Sequence, residues 1–377
     1  MRKLALLIIF CLLFLILAYA QQDTTKVDSS NVTSTIDQTQ SVTTVDQIAK
    51  GSSPSTNPNI SVISDFQSSF KSNNRRKLEI YLNEAEFSFQ SVIDPYARAD
   101  LFLSFGKNQE TGEFKADIEE GYLTTLDLPA SLQLKVGKFR SNLGRLNPVH
   151  PHAIPFIDLP LAYQNYFGDG LNDEGFSLSW LVPNPLDFYQ ELTFEVTNGP
   201  TDNPSFKRSS ASRYLYLAHL KNFWDISENS TFEFGLTGIT GPNDSSLTTS
   251  IGAIDLTYKW KPLQFNTYQS FTWQSEVYYS KKYLSTEQKI NSFGVYSFVT
   301  YQIDKRCFLT CRYDYANQPY SVSDRDRAVS STLGWYATEF QKIELEGILK
   351  SSSYQSNSNQ ILFRWIYVIG SHGAHQY

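Results

Sequence analysis

Leu309-Thr310-Cys311-Arg312-Tyr313-Asp314-Tyr315 alternates without a slip. Apolar or aromatic residues hold the odd positions, and Thr310, Arg312 and Asp314 hold the even ones. Successive side chains of an extended chain point to opposite faces, so this run is a strand with one apolar and one charged face. The pattern recurs. Leu192, Phe194 and Val196 oppose Glu191, Thr193 and Glu195, and Leu101, Leu103 and Phe105 oppose Arg98, Asp100 and Ser104. Ile343, Leu345 and Leu349 oppose Glu344, Glu346 and Lys350 in the same way, which puts Glu346 on the face turned to water and makes it tolerant of substitution. Sixteen such segments run from Ile60 to Gln360, the eleventh opening near Phe265 and the fourteenth near Ala328. One is impure: Glu120 shares the parity of Ile118 and Tyr122, which predicts a break or a bulge.

The composition agrees with strands. The 377 residues include 23 Tyr, 26 Phe and 6 Trp against a single Met, and rings favour pleated structure. With 19% charged residues and a mean hydropathy of -0.33, neither a disordered chain nor a helical membrane protein fits. The net charge of -6 lacks the basic footprint of a nucleic-acid binder, so no nucleic acid is expected as partner.

Arg2 and Lys3, the apolar run Leu4 to Leu17 and the small residues of Ala18-Tyr19-Ala20 read as a secretory signal peptide over 1–20, an uncleaved anchor being the alternative. Residues 21–57 are mostly Ser, Thr, Gln, Asn and Asp, too polar for a core, and predict a disordered periplasmic tether. From Asn59 onward no apolar stretch is long enough for a spanning helix. If residues 58–377 are integral to a membrane, they form a transmembrane antiparallel β-barrel of about sixteen strands, lipid outside and water inside, because no other strand structure satisfies its backbone in lipid. Short connectors such as Ile93-Asp94-Pro95 and Lys261-Pro262-Leu263 alternate with longer polar ones such as Ala316 to Arg327 and Ser351 to Asn359, as periplasmic turns alternate with external loops. The last strand, with Ile361, Phe363, Trp365, Tyr367 and Ile369 on one face and a terminal Tyr377, resembles the C-terminal signal read by the outer-membrane assembly machinery.

Leu134 to Arg145, containing Gly137-Lys138-Phe139-Arg140-Ser141-Asn142-Leu143-Gly144-Arg145, resembles the "GKF…FG" strand of phosphate-selective-type porins. Its continuation Leu146-Asn147-Pro148-Val149-His150-Pro151-His152-Ala153, with Pro155-Phe156-Ile157-Asp158, is similar to a family of uncharacterised Gram-negative outer-membrane barrels. The resemblance implies an integral outer-membrane barrel. Some members carry a receptor label, but a plugged 22-strand transporter does not fit into about 320 residues. The expected function is passive diffusion of small hydrophilic solutes or ions, with no cofactor and no enzymatic activity, and a homotrimer is one assembly open to it. The alternative is a receptor, adhesin or metal-related uptake barrel whose loops bind a partner.

Three groups of side chains stand out. The connection 143–174 is the longest and is rich in Ile154, Phe156, Leu161, Tyr163 and Phe167, which predicts a loop folded against the inner wall as a constriction or held in a subunit or partner contact. Lys138, Arg140 and Arg145 at its base, with Glu84, Glu86, Asp100, Asp117 and Glu119 on nearby strands, could set opposed charge across the pore. His150, His152 and Asp158 could ligate zinc. Proline-flanked histidines that only shape the loop are the other reading, and His372 and His375 form a second pair. His219 has no nucleophile motif beside it.

Overall fold

A computed structural model of the chain describes residues 58–72, 78–107, 112–208 and 213–370. The expected leader, the tether 21–57 and the His372–His375 pair lie outside the described residues.

The strands are β1 (Asn59–Lys71), β2 (Leu78–Asp94), β3 (Ala97–Lys107), β4 (Phe114–Thr125), β5 (Leu132–Arg140), β6 (Asn172–Leu181), β7 (Tyr189–Thr197) and β8 (Leu215–Ser227). They continue as β9 (Ser230–Pro242), β10 (Thr248–Trp260), β11 (Phe271–Tyr283), β12 (Lys289–Asp304), β13 (Cys307–Gln318), β14 (Ser321–Thr338), β15 (Gln341–Ser352) and β16 (Ser358–Gly370). Each pairs antiparallel with its sequence neighbours, and β1 pairs with β16 to close a barrel. Sixteen antiparallel strands in a closed barrel is the expected fold.

Alternation sorts the two faces as read. Along β13, Thr310, Arg312 and Asp314 are buried inside, while Cys311 and Tyr313 are exposed outside. Along β16, Leu362, Arg364 and Ile366 point in, and Ile361, Trp365, Tyr367 and Ile369 point out. The anticipated irregularity at Glu120 is a bulge: Phe102 pairs with Glu120 and Leu103 with Ile118, which leaves Glu119 as the extra residue. A second bulge in β2 leaves Asn83 extra between Leu82, opposite Phe66, and Glu84, opposite Asp65. Each bulge shifts the inward parity by one residue. The β4 bulge turns both Glu119 and Glu120 to the inner wall, while Glu84 and Glu86 lie two apart on one side of the β2 bulge and share an inward parity without it.

Two strand starts differ from expectation. The eleventh strand opens at Phe271 and not near Phe265, because residues 261–270 coil into turns, with the Phe265 amide donating to Pro262 O at 3.2 Å and the Tyr268 amide to Phe265 O at 2.9 Å. The fourteenth opens at Ser321, so 316–327 is mostly hairpin with only Pro319 and Tyr320 outside the strands. Within it Gln318 donates to Asp326 Oδ2 at 2.9 Å, and Tyr354 of the connector after β15 donates to the same oxygen at 2.9 Å. The expected contrast of short and long connectors therefore fails at these two places.

Candidate functional site

The chain leaves β5 at Arg140 and returns in β6 at Asn172, and residues 141–171 between them fold into the barrel. Asn147 ties the neck of this loop. Its side-chain amide donates to Ser141 O at 2.7 Å and Leu171 O at 2.9 Å, while its Oδ1 accepts from the Leu171 amide at 2.8 Å and the Tyr163 hydroxyl at 2.5 Å. Gly144 makes the first turn inside with φ +58°, and a Cβ there would stand 2.5 Å from Glu276 Oε2. A 3₁₀ turn, Pro151–Ala153, follows, and then the short helix α1 (Leu161–Phe167), which Pro160 precedes. Pro160 fixes the entry backbone and Gly168, at φ 61°, ends the helix.

The apolar content of the loop is its packing surface. Leu143, Ile154, Phe156, Leu161, Tyr166 and Phe167 are all at most 3% exposed. They meet inward apolar positions of the wall, among them Leu217, Ile251, Tyr278, Phe298, Ile348 and Leu362. Phe167 sits edge-on to Tyr278 at 5.3 Å, and Phe156 to Phe298 at 5.3 Å. Gly294 of β12 leaves the room that Ala162 and Tyr166 occupy, since a Cβ there would lie 2.7 Å from the Tyr166 ring. At roughly 1.5 to 3 kcal/mol per fully buried large side chain, this cluster is a strong reason for the loop to stay inside.

Charged groups of the wall bind the loop backbone. Glu276 accepts the amides of Arg145 at 2.9 Å and Leu146 at 2.8 Å, and Glu195 accepts Asn142 through its amide at 3.1 Å and its side chain at 2.8 Å. Glu346 accepts Ile157 at 2.6 Å and Asp158 at 3.0 Å. Arg364 donates to Pro151 O and Ile154 O at 2.9 and 2.8 Å, and Arg312 to Asp158 O at 2.5 Å. Glu346 is fully buried against the loop and does not face open water, which removes the ground for expecting its substitution to be tolerated.

The acids and bases predicted for an opposed field are instead paired at close range. Arg140 lies 2.6 Å from Glu119 and 3.9 Å from Glu120, Lys138 lies 3.3 Å from Asp117, and Asp100 lies 2.7 Å from Arg98. Glu84 accepts the Ser104 hydroxyl. Arg145 points to another sector, 3.6 Å from Glu233 of β9. There it borders a cavity of about 210 Å³, together with Val149 and Ile154 of the loop and Lys259, Gln274 and Thr300 of the wall. Spacing could not have separated Arg145 from its neighbours, because the turn at Gly144 redirects it.

The two histidines converge and Asp158 does not join them. His150 Nδ1 lies 2.9 Å from Glu86 Oε2 and 3.6 Å from Glu119 Oε1, its Nε2 lies 2.9 Å from Glu120 Oε1, and His152 Nδ1 lies 3.7 Å from Glu86 Oε2. Asp158 pairs with Gln164 and Arg312 instead. Burial disfavours an imidazolium, but the hydrogen bonds to Glu120 and Glu86 outweigh it and lift His150 to about 10. Phe102 packs on the same ring at 5.0 Å. Glu120 was outside the predicted set, and its shared parity with Ile118 and Tyr122 was the signal that could have found it. His219 sits in the wall with Nδ1 2.8 Å from Thr237 Oγ1.

No protein-family model matches the sequence. An uncharacterised protein of Aquifex aeolicus (strain VF5) is 28% identical over 337 residues, which cover 78% of this chain and 70% of that one. Among solved structures, the outer membrane channel DcaP of Acinetobacter baumannii aligns with a TM-score of 0.58 at 10% identity, over 82% of this chain and 96% of that one. The anion-selective porin of Comamonas acidovorans aligns at 0.56 and 8%, over 82% and 98%. At such identities the likeness establishes the shared barrel fold.

Proposed function

We propose that the protein is an integral outer-membrane channel for passive diffusion of small hydrophilic solutes or ions, narrowed by the inserted loop 141–171. One observation carries the reading: a closed sixteen-strand barrel turns its aromatic and aliphatic residues outward and its charged residues inward, opposite to a soluble protein. The porin and channel named in the structural likenesses support the same class. The surrounding partner is outer-membrane lipid, and the assembly machinery would engage β16. Arg145 and Lys259 are the charged residues that line the cavity beside the loop, Arg145 3.6 Å from Glu233, whereas Lys138 and Arg140 pair with carboxylates of β4.

Planar-bilayer conductance tests this. Removing 154–167 is expected to raise single-channel conductance severalfold, and Arg145→Glu is expected to move the reversal potential toward cations. Equal conductance with and without the loop, in barrels that insert, would discard the constriction. Insertion without any conductance would replace the channel by a scaffold whose external loops bind a partner.

A further inference from the structure

We propose that His150, His152, Glu86 and Glu119 form a zinc site that latches the loop to the β2–β4 wall. The donor atoms of His150, His152 and Glu86 all lie within 4.8 Å of one another, and these residues are at most 6% exposed. Tetrahedral zinc with bonds of about 2.0–2.1 Å needs ligand atoms about 3.3 Å apart. Three of the six ligand-to-ligand edges, at 2.9 Å (His150 Nδ1 to Glu86), 3.7 Å (His152 Nδ1 to Glu86) and 3.6 Å (His150 Nδ1 to Glu119), bracket that value, with Glu119 reaching the site from the His150 side.

Two further observations point to a cation. Glu86 Oε1 and Glu119 Oε2 are buried oxygens that no N–H or O–H of the described residues reaches, in two carboxyl groups that face each other with side chains 1% and 9% exposed. Unsolvated carboxylate oxygens are costly, and a divalent ion at their centre would offset that cost. Glu120 also occupies the place of an outer-shell partner, 2.9 Å from the His150 nitrogen that points away from the other donors. A carboxylate there fixes the ring tautomer and strengthens the metal-facing nitrogen. Two imidazoles and two carboxylates suit a borderline ion such as zinc better than magnesium or calcium. The ligands come from β2, β4 and the loop alone, so the ion would tie the loop to the wall.

Folded, chelator-treated barrel in detergent should be titrated with zinc by calorimetry and with cobalt(II) by absorption. One ion per chain and a strong, tetrahedral-type cobalt spectrum are expected. His150→Ala with His152→Ala should weaken zinc at least 100-fold, and Glu120→Gln by about 10- to 100-fold. His372→Ala with His375→Ala should leave binding unchanged. No saturable zinc binding by the wild-type barrel, an octahedral-type weak spectrum, or undiminished binding after loss of His150 and His152 would each overturn the site. The wild-type titration and the Glu120→Gln variant decide the matter even if the double variant fails to fold, and none of these readouts depends on conductance.

Discussion

Glu346 illustrates how a residue's face can be legible while its task is not. The alternation with Leu345 places it inside, and it is inside. Its use as the acceptor for two loop amides, with Arg312 3.9 Å away, depends on a segment nearly two hundred positions distant in sequence. Glu346→Arg should therefore expose the loop, at a cost of about 3 to 5 kcal/mol, because removing one member of a buried charged group strands the others. Limited proteolysis within 154–167 measures this: cutting of the variant at the wild-type rate would mean that Glu346 does not hold the loop. His150 and His152 follow the same logic. Their proximity to each other is written in the spacing, but their approach to Glu86 depends on how the loop folds back onto β2, and the presence of both Glu119 and Glu120 beside His150 depends on the β4 bulge, neither of which a local pattern at the histidines announces.

At the scale of elements, strands were legible because each satisfies the same rule of two faces over many residues. The errors fell where that rule is silent. Phe265 looked like the start of a strand because an aromatic follows a proline turn, yet the segment folds back on itself before the ladder begins at Phe271. The 316–327 stretch looked like a loop because it is polar, yet inward strand residues are polar too. The face rule makes its own prediction: Leu345→Arg or Trp365→Arg should destabilise the barrel by about 2 to 4 kcal/mol if near the bilayer midplane, and less toward either rim. Equilibrium urea unfolding in lipid vesicles reads this. No loss from either substitution would mean that these outward residues do not meet lipid.

For the whole molecule, an even number of strands brings both barrel ends to one side, as β1 pairing with β16 requires of antiparallel neighbours. The loop 141–171 leaves from the opposite rim, as does the 353–357 connector. If that rim is external, a short epitope inserted at 353–357 should be labelled on intact cells. Labelling only after the outer membrane is opened would reverse the orientation.

The seating of residues 150–154 bears on how such a cylinder is put together. His150 touches Glu86 of β2, and Arg364 of β16 grips the carbonyls of Pro151 and Ile154. Those two strands flank β1, so one short piece from the middle of the chain splints the seam where its first and last strands meet. The loop hangs from the rim between β5 and β6, and if it seats while the sheet is still open it holds β2 and β16 on either side of β1 before they close. Once there, it divides the long entropic search between the two chain ends into two shorter ones, each with an anchor of its own. A segment that narrows the finished passage would thus also serve, earlier, as the mandrel on which the wall is closed.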